Sequence, residues 1–81
     1  MTTPTTTISY TGFNEDIERT IREYMSECEN ITSERDSGFF MEEGADEGTR
    51  DITFAGTMTH GEELELTDMG QQYNLTIHTE E

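Results

Sequence analysis

The sequence predicts an α+β domain in which one amphipathic helix packs on one face of a four- to five-stranded antiparallel sheet, in the order β-α-β-β-β-β. Three observations lead there. Ile17, Ile21, Tyr24, Met25 and Cys28, with Ile31 beyond them, recur at three- and four-residue steps. The second half alternates apolar and polar residues in several short runs. Glycine-containing stretches separate those runs.

Thr5 to Tyr10 reads as the first strand, with Thr6, Ile8 and Tyr10 on one face. Thr11-Gly12-Phe13-Asn14 turns the chain, and Asn14 is a good N-cap for the helix that follows. Glu15 and Asp16 sit where the helix dipole favours anions. The spacings Glu15 to Arg19 and Glu18 to Arg22 predict local ion pairs on the outer face. Asn30 to Asp36 is polar and reads as the loop that ends the helix. Gly38 to Glu42 reads as the second strand, with Phe39 and Met41 on one side and Phe40 on the other.

Arg50 to Thr59 is the clearest strand: Ile52, Phe54, Gly56 and Met58 alternate with Asp51, Thr53, Ala55 and Thr57. After a His60-Gly61 turn, Glu63 to Thr67 alternates again, with Leu64 and Leu66 inward. Asp68-Met69-Gly70 turns the chain, and Gln72 to His78 closes with Tyr73, Leu75 and Ile77 inward. Short connections among the later strands favour a meander. Residues 1–81 read as one small domain, with 1–4 and 79–81 expected to fray.

Charge dominates the composition. Nineteen acids face four arginines and no lysine, a net charge of -15 over 81 residues. Self-repulsion of that size costs stability. It also argues against nucleic acid and anionic membranes as partners, since both are polyanions. A single cysteine, Cys28, excludes an internal disulfide and suits a reducing, cytoplasmic setting, as does an N-terminal stretch without the basic and apolar regions of a signal peptide. Asn30-Ile31-Thr32 and Asn74-Leu75-Thr76 match the glycosylation acceptor pattern by chance in that setting.

Chemistry-bearing patterns are sparse. A calcium loop requires a glycine sixth, but the acidic stretch places Glu47 there when counted from Glu42 and Asp51 when counted from Asp46. Cys28, His60 and His78 lack the close spacing of a zinc site. Cys28 falls on the apolar stripe, where a thiol serves as a small hydrophobe. The sequence therefore predicts a non-enzymatic protein with no catalytic residue, no metal site and no cofactor. Phe39, Phe54, Tyr10, Tyr24 and Tyr73 are expected in the core, and Phe40 is expected to face away from the helix, where it suits an interface.

The charge suggests a partner. Fifteen charges match about 25 Å of duplex at one charge per ~1.7 Å, close to the roughly 30 Å width expected of a chain of this length. Glu63 and Glu65, two apart on a strand, would lie ~7 Å from each other, near the phosphate spacing, with Glu62 and Asp68 extending the row. Glu42, Glu43, Asp46, Glu47 and Asp51 would form a second row. In size, absence of lysine and acid density the chain resembles small acidic phage proteins that block host defence, among them anti-CRISPR proteins and restriction inhibitors that mimic DNA. The resemblance implies an inhibitor of a basic nucleic-acid-binding protein or complex, acting in the host cytoplasm with no direct contact to nucleic acid or membrane. Charge and spacing, not the resemblance, mark those nine acids as the partner-binding residues, and a homodimer is a further expectation. The alternatives are a small solubility- or halophile-adapted structural or interaction domain, and a weak divalent-cation binder.

Overall fold

In a computed structural model, which describes residues 3–41, 43–44 and 46–80, the chain is an α+β domain. Its elements are β1 (Thr5–Thr11), α1 (Glu15–Glu27), β2 (Ile31–Phe40), β3 (Thr49–Gly56), α2 (His60–Met69), a short 3-10 turn (Gln71–Tyr73) and β4 (Thr76–Glu80). The four strands lie in the order β2-β3-β1-β4, and each neighbouring pair is antiparallel. β3 runs between β1 and β2, and β1 runs between β3 and β4. The architecture is thus two interleaved split βαβ units, the ferredoxin-like topology.

The expected helix and its cap are present: the Asn14 side chain accepts the Asp16 and Ile17 N–H groups. Glu18 pairs with Arg22 as the spacing predicts, whereas Arg19 turns to Asp16 rather than Glu15. The core gathers Ile8 and Tyr10 of β1, Ile17, Ile21, Met25 and Cys28 of α1, and Ile52 and Phe54 of β3, with Met58, Leu66 and Leu75 completing it. Tyr73 meets Tyr10 edge-on, ring centroids 6.2 Å apart. Thr6 is fully buried and donates its hydroxyl to the Gly56 carbonyl at 2.8 Å.

Four readings change. Glu63 to Thr67 is not a strand but lies within α2, so the meander gives way to a helical crossover from β3 to β4. The cause is local: the Thr59 hydroxyl accepts the Glu62 N–H, and the Glu62 carboxylate accepts the Thr59 N–H, a full capping box. Only Leu66 of that segment is buried, and Leu64 points to solvent, so the two leucines do not share an inward face.

Residues expected as a polar loop form most of β2 instead. As an edge strand, β2 needs no apolar alternation, and two register shifts, between Ile31 and Ser33 and between Glu34 and Asp36, bend it. Thr79 and Glu80 do not fray but pair with Thr6 and Thr5. Finally, Phe39 is not core. It lies on the helix side of the sheet, opposite Arg50, yet at an edge no helix covers, whereas Phe40 faces away from the helices as expected.

Candidate functional site

The end of the sheet formed by the β1–α1 turn and the β2–β3 hairpin holds the strongest concentration of unusual side chains. Its foundation is a chain of ionic contacts. The Glu18 carboxylate on α1, 7% exposed, accepts Arg50 Nε–H of β3 through one oxygen and Arg22 through the other at 3.3 Å. Arg22 Nε in turn reaches Glu34 of β2 at 2.8 Å, and the Glu34 hydrogen bond and charge push the Arg22 guanidinium further up from its already high range. Three elements are tied together this way. A buried carboxylate is tolerable here because two guanidiniums satisfy it.

Aromatic residues rest on this foundation. The Arg50 guanidinium lies 5.6 Å from the centre of the Phe13 ring, within cation–π range. The Phe39 ring covers Gly48, where a Cβ would stand 2.3 Å from the ring edge, so only glycine admits that ring position. Gly12 joins the two turns by donating its N–H to the Gly48 carbonyl at 2.7 Å. Phe13 is 56% exposed, Phe39 47%, Phe40 56% and Met41 60%. Three of the four phenylalanines are therefore at the surface of one end, while Phe54 alone is core. Exposed Glu15, Glu43, Asp46 and Glu47 border them.

The sequence-predicted acids do not converge. Glu42 lies outside the described residues. Glu43, Asp46 and Glu47 lie in the β2–β3 turn, and Asp51 lies within β3 on the face turned away from the helices. Glu62, Glu63, Glu65 and Asp68 are on α2, which starts at the opposite end of the sheet, just after Gly56. At about 100° per residue, those four point around most of the helix circumference instead of forming a row. Glu62 is occupied with its capping box; the Thr59 backbone hydrogen bond, then the Cys28 contact, hold its carboxyl below the usual range.

Cys28, Tyr10 and Tyr24 hold their protons more firmly than usual. Burial, then the Glu62 hydrogen bond and charge, push the Cys28 thiol up to about 12, and its Sγ donates to the Tyr24 carbonyl at 3.4 Å. Burial also pushes the Tyr10 phenol up, against a lowering from its Asn14 backbone hydrogen bond. Burial and the Glu65 charge raise Tyr24. Among the described residues no group of three His, Cys, Asp or Glu side chains is arranged to hold a metal ion. Among the same residues no helix is long and apolar enough to cross a membrane.

What sequence reasoning missed is the aromatic end. Phe13 reads from the sequence as a turn residue and Phe39 as core, yet both are exposed at this end. The signal that would have found them is the pair of glycine-flanked phenylalanine sites, Gly12-Phe13 and Gly38-Phe39-Phe40, which sit beside turns instead of within an alternating run.

Comparison with known proteins adds the following. No family model matches the chain, and no curated protein matches it. Among solved structures it is similar to the crystal structure of a provisionally named monooxygenase from Shewanella loihica PV-4, with 16% identity, a TM-score of 0.37, and 99% of this chain and 92% of that one covered. Likeness at that level transfers no activity. The DNA-mimic reading, with its phage anti-CRISPR or anti-restriction form, is corrected: the strand row that was to imitate phosphates is a helix with divergent carboxylates.

Proposed function

We propose that this chain is a non-enzymatic protein-interaction domain that docks through the end bearing Phe13, Phe39, Phe40 and Met41 onto an apolar pocket bordered by lysine and arginine on another protein. The observation that supports it is the placement of three of four phenylalanines, solvent-exposed, at one end of a domain whose remaining large apolar side chains mostly fill the core. An apolar patch rimmed by charge marks an association surface. Aromatic anchors supply most of the energy of such a contact. The acids around them favour a basic rim and speed encounter with it.

A second copy of the chain is a poor occupant. Each copy carries -15 and no lysine, so two acidic rims would repel at contact. The buried, protonated Cys28 and the raised phenols agree with a role that needs no reactive group.

The test uses a synthetic amphipathic peptide of leucine and lysine, titrated into isotope-labelled protein. Shifts should concentrate at Phe13, Phe39, Phe40 and Met41. Phe39→Ala should weaken binding about tenfold, the size expected of one aromatic anchor, with the melting temperature unchanged. An all-lysine peptide of equal charge should bind about tenfold more weakly than the leucine–lysine peptide. Equal binding of the two peptides, or shifts centred on α2, would overturn the reading.

A further inference from the structure

Two hydrogen bonds that frame β3 fix which way its backbone groups point. The Gly12 N–H reaches the Gly48 carbonyl at 2.7 Å, and the Gly56 N–H reaches the Pro4 carbonyl at 2.8 Å. Successive residues of an antiparallel strand bond to opposite sides. Even-numbered residues of β3 therefore bond to β1, and Thr49, Asp51 and Thr53 bond to Phe40, Gly38 and Asp36 of β2. That leaves the N–H and C=O groups of Ser37 and Phe39 pointing out from the edge of the sheet. The Ser37 N–H agrees, because the Asp36 carboxylate accepts it at 2.8 Å. The Phe39 N–H and the carbonyls of Ser37 and Phe39 have no partner among the described residues.

β2 guards one half of this edge and leaves the other open. Residues 31–36 carry two register shifts and the charges of Glu34, Arg35 and Asp36, devices that discourage strand addition. Residues 37–40 pair with β3 in unbroken register and hold no charge and no proline. Phe39 stands on the helix side of this stretch and Phe40 on the other, both exposed, so an added strand would find an aromatic ring on each face. Gly38 lies between them with nothing within 4 Å of its Cβ position, which lets a neighbouring backbone approach closely. The opposite edge strand, β4, has no aromatic residue.

Resting on the docking reading above, we propose that an extended segment of the basic partner adds to residues 37–40 as a fifth strand, with apolar side chains beside Phe39 and Phe40 and positive ones at its ends. Strand addition takes affinity from main-chain hydrogen bonds and selectivity from alternate side chains. Exposed Asp36, Glu43, Asp46 and Glu47 along this end favour a positive segment. They disfavour a second copy, whose own β2 would bring the same acids to the same edge.

The probe is a short valine peptide flanked by lysine pairs, N-methylated at alternate residues so that only one of its edges can pair. It is titrated into labelled protein while amide exchange is followed. With free peptide at about ten times its Kd, exchange of the Phe39 N–H should slow about tenfold, and the Gly38 and Phe40 amides, already held by β3, should change little. The same peptide methylated at every residue should give no protection. Phe39→Pro should fold, because that N–H faces outward, and should bind about fivefold more weakly than Phe39→Ala, the difference being one hydrogen bond. The exchange measurement decides the question in the parent chain, whatever proline does to the edge. Shifts at Phe13, Phe39 and Phe40 without protection of the Phe39 amide would overturn the added strand and leave the docking reading standing. No shift at this end would overturn both. Phe39 protection that grows with protein concentration in the absence of peptide would make a second copy the occupant and overturn the proposal as well.

Discussion

The carboxylate of Glu18 on α1 and the guanidinium of Arg50 on β3 form a largely buried ion pair beneath the exposed aromatic end, with side chains only 7% and 14% exposed. Arg22 completes the pair from the other side and carries it to Glu34. Removing Glu18 strands the Arg50 guanidinium in a site that water reaches poorly, and removing Arg50 leaves the buried carboxylate with Arg22 alone. Arg50→Ala should therefore lower unfolding free energy by about 3 kcal/mol. Replacing the pair together, Glu18→Leu with Arg50→Met, should cost clearly less than the sum of the single changes, because no uncompensated charge remains. Urea unfolding of the four proteins checks the cycle. Additive losses would mean that the pair is not a unit.

Salt should stabilise the native chain. Most of the acids are exposed, and three of the four arginines already have carboxylate partners on or beside α1, so net repulsion among the rest is unrelieved. Screening shortens from about 10 Å at 0.1 M to about 3 Å at 1 M. The melting temperature at pH 7 should climb steadily across that range of sodium chloride. A flat profile would show that self-repulsion does not limit stability.

Two glycines should respond in opposite directions to the same change. Gly56 ends β3 with φ +110°, and a Cβ there would stand 2.0 Å from the Asn30 carbonyl oxygen. Gly56→Ala should cost at least about 3 kcal/mol through strain and displacement of the α1–β2 loop. Gly61 lies in the first turn of α2, with nothing within 4 Å of its Cβ position. Gly61→Ala should add about 0.5–1 kcal/mol. Thermal unfolding distinguishes the two without ambiguity of sign.

Cys28 should make the native state sensitive to high pH. Its thiol is held up to about 12 in the fold against an ordinary value of 9.0, so the folded form keeps a proton that the unfolded chain loses. The stabilisation is complete below pH 9 and falls as pH rises from 9 towards 12. One retained proton corresponds to about 1.4 kcal/mol per pH unit in that window. Cys28→Ala should flatten the slope relative to the parent, although the raised Tyr10 and Tyr24 phenols leave a residual fall of the same sign. At pH 8 the native thiol should resist alkylation by iodoacetamide and react once urea unfolds the chain.

Much of the architecture was legible because it rests on local physics. The periodicity of Ile17, Ile21, Met25 and Cys28 and the Asn14 cap specify α1 from within a short window. The alternation of Ile52 and Phe54 specifies β3, since one face of that strand is covered and the other is not. The Thr59–Glu62 box was also written in the chain, but two leucines at alternate positions competed with it, and a five-residue run cannot separate a strand from a helix by period alone.

By itself the sequence determined an α+β domain with one strong amphipathic helix, an antiparallel sheet and a surface that carries -15. Only the tertiary structure decided which side chains meet. β2 was unreadable because an edge strand needs no apolar pattern; its order comes from hydrogen bonds to β3, a separate segment of the chain. The same pairing places Gly38 across from Asp51 and sets Phe39 over Gly48, and the β1–β3 pairing brings Phe13 under Arg50. Those juxtapositions are long-range consequences of strand order, which periodicity, capping and charge, all local quantities, do not encode.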